Sequence, residues 1–134
     1  MDIKTEFEEV KCALQKTPAF NSQIFSQLQE DTNYEVALKM LARFHTTLIE
    51  SIGFINKGLE SENAELVWKA CHKVAGTAEL IGFVNLGQIS RELSKNIKAS
   101  NDLSLMPEIT KYIDETLLLK NEIEKAFIRM NDYL

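Results

Sequence analysis

Apolar residues in this chain recur every three or four positions over almost its whole length, and that spacing restricts it to helices. The clearest run is Ala37, Leu41, Phe44, Leu48, Ile52, Ile55 and Leu59, the pattern of a helix that buries one face. Strand-like alternation is absent, and only two prolines and five glycines punctuate the 134 residues. The periodicity predicts a short helix from about Thr5 to Gln15, with Phe7, Val10 and Leu14 inward, ended by Pro18. A short segment from Ser22 to Leu28 offers Ile24, Phe25 and Leu28 as a small apolar face. A long helix over about Tyr34 to Lys57 is capped by Asp31 or Thr32 and closes near Gly58, where a residue with positive φ can end a helix. The next opens at Ser61 or Asn63, carries Glu65 in its first turn, and turns at Gly82. Another covers about Val84 to Lys98, before a polar loop, Ala99 to Asp102. Pro107 suits the first turn of a last helix, which carries Ile109, Tyr112, Leu119, Ile123, Phe127 and Met130. Four substantial amphipathic helices joined by short loops predict an all-α fold. Its default packing is an antiparallel four-helix bundle, with one or two short N-terminal helices over an end.

The length suits one domain over residues 1–134, large enough for a real core. A net charge of −5, with no basic stripe interleaved with aromatics, argues against nucleic acid as a partner. The first residues, Met1 to Glu9, have neither the positive flank nor the apolar run of a signal peptide. No segment approaches the length of a membrane span. The two cysteines, Cys12 and Cys71, are far apart in sequence, and a reduced, cytoplasmic chain is the simplest reading.

One helix carries a candidate reactive group. Val67, Cys71, Val74, Ala78 and Ile81 fall on one side of it and form its core stripe. His72, about 100° from Cys71 on the helical wheel, falls away from that stripe. Lys69 precedes it by three positions and Gly76 follows it by four, so both lie beside it on the helix surface. A glycine inside a helix costs roughly 1 kcal/mol relative to alanine. Close approach of a partner would offset that cost, and Gly76 points away from the core stripe. Cys71 and His72 diverge too far to share a metal, and neither Cys12 nor His45 has ligand-like spacing to them, so no metal site is expected. His45 lies at the margin of the Leu41–Leu48 stripe, which predicts a packed, hydrogen-bonded histidine.

The stretch from Ala70 to Leu93 resembles the histidine-containing phosphotransfer (HPt) domains of multistep signalling relays. The family motif is a histidine followed by an aliphatic residue at +2, a lysine at +3, and glycines at +4 and +10. Here His72, Val74, Gly76 and Gly82 match, and Leu86, Ile89 and Leu93 continue the apolar spacing. The chain departs from the pattern at Ala75, which stands where the family has lysine, and at Glu79, where the family usually has a small residue. Outside this stretch the likeness rests on the number and length of the helices.

The resemblance implies that His72 is a phosphoacceptor, taking a phosphoryl group from a receiver-domain aspartate and passing it to another receiver. Lys69 and Lys73 are the candidate cations for the phosphorylated ring, with Lys69 nearer in helical phase. Gly76, Trp68, Ala75 and Glu79 are the candidate docking residues. Glu79 is about two turns from His72, too far to touch the ring, and its plain reading is a solvated carboxylate. The expected partners are receiver domains of response regulators or hybrid histidine kinases. The protein would hold no cofactor of its own, Mg²⁺ being the receiver's, and would have no turnover of its own. The rival readings are a degenerate HPt-like bundle that only binds proteins and a structural helical adaptor. A metal-dependent enzyme is a weak third.

Overall fold

Each of the first four helices begins where a short polar side chain takes up backbone N–H groups of the first turn. The computed structural model describes residues 2–17 and 19–134. Asp2 caps α1 (Ile3–Leu14) and Asn21 caps α2 (Ser22–Asp31). Asn33 caps α3 (Tyr34–Glu60), accepting from the Val36 N–H at 2.8 Å. Asn63 caps α4 (Ala64–Ile81). The cap of α3 is therefore Asn33 and not Asp31 or Thr32, because α2 runs on through Asp31. Pro18, expected to end the first helix, lies outside the described residues. Helix α5 spans Val84–Ser100 and closes with Asn101 in the left-handed region, at φ 52°. Helix α6 spans Met106–Ala126 with a proline in its first turn. Phe127 and Met130 lie beyond its end, and Met130 opens a short 3₁₀ helix (Met130–Tyr133).

Helices α3, α4, α5 and α6 pack side by side in chain order, and α6 returns against α3. Helix α1 covers α3 and α6, and α2 covers α3 and α4. There is no strand among the described residues; the one sheet-like contact is an isolated bridge between Phe20 and Phe83. Nor is any helix of the described residues long and apolar enough to cross a membrane.

Two glycines bring the neighbours of α4 close to it. A Cβ on Gly58 would stand 2.7 Å from Val67 Cγ2 and 2.9 Å from the Asn63 carbonyl oxygen. Gly58 is thus a contact point between α3 and α4 inside α3, rather than the left-handed closure expected from its position. On the other flank, a Cβ on Gly87 of α5 would stand 2.5 Å from Glu79 Cγ and 3.3 Å from the Ala75 carbonyl oxygen. Between α4 and α5, Gly82 has φ +120°, and the Asn21 N–H donates to its carbonyl at 2.8 Å. A Cβ there would meet the Asn21 carbonyl oxygen at 2.6 Å, so this turn requires glycine on two counts. Phe83, next in sequence, stacks on Phe44 and meets Phe20 with centroids 5.5 and 5.0 Å apart. The α4–α5 turn is in this way locked to the long helix and to the segment before α2. Helix α4 is consequently held on both flanks and at its C-terminal end, which fixes the direction in which its outer face points.

Candidate functional site

The inner face of α4 is dry. Val67, Cys71, Val74, Ala78 and Ile81 are all buried, as the helical phase predicts. Burial pushes the Cys71 thiol up to about 12, so it is protonated at neutral pH and is no nucleophile. On the outer face, His72 is exposed, and so are Lys69, Lys73 and Gly76. A Cβ added to Gly76 would meet nothing within 4 Å. Among the described residues no packing contact explains this glycine.

Residues four apart line up along a helix. Trp68, His72, Gly76 and Leu80 therefore form one ridge, with the histidine between a half-buried indole and a bare backbone. Leu80 is 49% exposed and extends the ridge with an apolar side chain. The expected docking residues do not include it, although its i+8 spacing from His72 was visible in the sequence.

The two lysines proposed as phosphate-stabilising groups have different surroundings. Lys69 pairs with Glu65, four residues before it. Hydrogen bonding to Lys69 and its charge hold the Glu65 carboxyl below the usual range. The Lys69 ammonium also lies 5.8 Å from the centre of the Trp68 ring. Lys73 is on the other flank, towards α3, 4.0 Å from a Glu50 carboxylate oxygen. Both pairs are exposed and individually weak.

Two expected docking residues are placed differently from their sequence reading. Ala75 is only 2% exposed and lies where α4 packs on α5, with its carbonyl beside Gly87. A partner touching the outer face does not reach its side chain. Glu79 is not a free, solvated carboxylate: it accepts from Arg91 of α5 at 2.7 Å, and its Cγ occupies the space left by Gly87. It ties α4 to α5 and stays clear of Lys69 and Lys73.

Helix α5 adds a cation that helical phase within α4 could not reveal. Lys98 places its ammonium 4.9 Å from the centre of the Trp68 ring, within cation–π range. Ser94, one turn earlier, donates to the Trp68 carbonyl at 2.8 Å, which holds the two helices in register there. Among the described residues Lys98 has no carboxylate partner. Trp68 is thus flanked by cations from both helices, one turn from His72.

The second histidine is of another kind. His45 on α3 is 6% exposed, and its Nε2–H donates to Glu124 of α6 at 2.9 Å. This is the packed, hydrogen-bonded histidine expected from its phase. No such partner holds the His72 ring among the described residues. No group of three or more His, Cys, Asp or Glu is arranged to hold a metal ion among the described residues.

The fold has a counterpart among solved structures. The HPT domain of an Hpt sensor hybrid histidine kinase from Shewanella superposes with a TM-score of 0.71 at 19% sequence identity. The match covers 83% of this chain and 95% of that one. No family model matches the chain, and no curated protein matches it significantly. The chain has the all-helical fold of an HPt domain, and His72 stands on an outward ridge of it.

Proposed function

We propose that this chain is a phosphorelay module in which His72 carries the phosphoryl group between receiver domains. The observation that carries the reading is the coincidence of the HPt fold with an exposed, unengaged histidine beside an open Gly76. An imidazole is a competent nucleophile whose ordinary pKa lies near cellular pH. In the forward step a ring nitrogen of neutral His72 attacks the phosphorus of a receiver aspartyl phosphate. The P–N bond forms as the P–O bond to the aspartate breaks, and the carboxylate leaves with the bonding pair. The same step in reverse delivers the group to a second receiver. Such a transfer needs positioning and charge stabilisation more than a large set of protein groups. The receiver supplies Mg²⁺ and the acidic pocket. This chain supplies the nucleophile, the space above Gly76 and cations at the rim.

Ala75 bears on the rival reading of a binding-only bundle, because a lysine at that position is missing. Lys69 and Lys98, on either side of Trp68, support the phosphotransfer reading in its place. The test is incubation of the chain with phosphorylated receivers from its own cell. Acid-labile, base-stable label on the parent, absent from His72→Gln, is the expected result. A folded parent that binds receivers but takes up no label would favour the binding-only bundle.

A further inference from the structure

On the side of α5 away from α4, a groove runs between α5 and α6. It has two lobes, of 280 and 210 Å³, that share Ile89 and Glu115. The first is floored by Leu86 and Leu119 and edged by Leu118; the second lies over Leu93 and Tyr112. Leu118 is 64% exposed and Ile89 38% exposed. Each lobe is below the roughly 300–1,000 Å³ of a small-molecule site. Two shallow apolar lobes in line suit successive side chains of one docked helix.

The rim is mainly acidic. Glu92, Glu108 and Glu115 line the groove, and none has a cationic partner within 4 Å among the described residues. Among the described residues Lys111 is the only cation lining it. A two-fold pairing of copies through this face would bring together two surfaces that each carry three unpaired carboxylates against one lysine, a net repulsion. A cationic occupant meets no such penalty.

We infer that the α5–α6 groove docks a basic amphipathic helix of a partner protein. Two apolar side chains about one turn apart would enter the lobes, and flanking Lys or Arg would face Glu92, Glu108 and Glu115. The groove opens on the flank of α5 away from α4, and the His72 ridge is on α4. The inference does not depend on phosphotransfer at His72.

A pair of synthetic helical peptides tests it on the full chain: one with Leu at i and i+4 flanked by Lys, and a twin with Glu in place of Lys. The Lys peptide is expected to bind saturably and to shift the methyl resonances of Ile89 and Leu118, while the Glu twin does not. Charge reversal in Glu92→Lys/Glu115→Lys should weaken binding at least tenfold, and Leu118→Lys should abolish it. These residues are on the rim or exposed, and circular dichroism verifies the fold of each variant. Equal binding of both peptides, no binding of either, or shifts confined to another face would overturn the inference. So would a parent that sediments as a dimer and becomes monomeric as Leu118→Lys, since the occupant would then be a second copy.

Discussion

The two histidines of this chain sit in opposite physical settings. His45 is closed between α3 and α6, and its ring is held by Glu124, which also pairs with Lys120 at 2.9 Å. His72 stands on an open ridge with a bare glycine one turn away. The first setting restrains the ring and leaves little of it exposed. The second leaves the ring free and accessible. Chemistry that must meet another protein belongs to the open setting, and the buried one contributes cohesion between helices.

The largest expected effect separates the two directly. His72→Gln should remove phosphoryl acceptance altogether while changing stability by less than about 0.5 kcal/mol, as for surface substitutions generally. His45→Ala should do the reverse, retaining acceptance and costing about 1–3 kcal/mol. Labelling and denaturant unfolding on the same two samples provide both numbers.

The next contrast concerns Ala75. The family pattern has lysine there, yet the residue is buried against α5. Ala75→Lys should therefore destabilise the bundle by about 1–3 kcal/mol, the cost of inserting extra atoms into a packed interface. An unchanged unfolding midpoint would show that α5 gives way easily. Gly76→Ala, one residue on, should instead stabilise the helix by up to about 1 kcal/mol, and Gly76→Gln should weaken receiver binding with no loss of fold. A loss of stability in either Gly76 variant would point to a packing role.

The smallest effect is a pH dependence. Hydrogen bonding to Lys120, and then to His45, holds the Glu124 carboxyl below its usual range. A group with a lowered pKa in the folded state stabilises fully above its unfolded value and loses that contribution as pH falls through the folded one. The α3–α6 clasp should therefore weaken below about pH 4.5, the ordinary value for this carboxyl. Because Glu124 is substantially exposed, the change should be modest. Lys120→Ala should flatten it, as seen in thermal unfolding between pH 5 and pH 2, roughly the span over which a paired carboxylate loses its contribution.

Much of this was legible in the amino-acid order. The stripe Val67, Cys71, Val74, Ala78 and Ile81 is buried because helical phase alone decides which residues share a face. The same reasoning put His72 outside and His45 inside. Phase does not say which neighbour lies against each flank. Ala75 and Glu79 differ from their sequence reading for that reason: they lie on the flank that α5 covers, and Gly87, a glycine twelve residues beyond Ala75, brings α5 close to them. The proximity of Lys98 to Trp68 depends on how two helices return on each other, which helical phase does not encode. Gly58 looked like a helix end by position but is a point of close approach between helices.

The most direct test of the central claim is transfer of label from a phosphorylated receiver to the parent, to His72→Gln and to His45→Gln, followed by acid and base treatment. The setting of the two rings predicts acid-labile, base-stable label on the parent and on His45→Gln, and none on His72→Gln. Label that persists on folded His72→Gln, or is lost from folded His45→Gln, would contradict it.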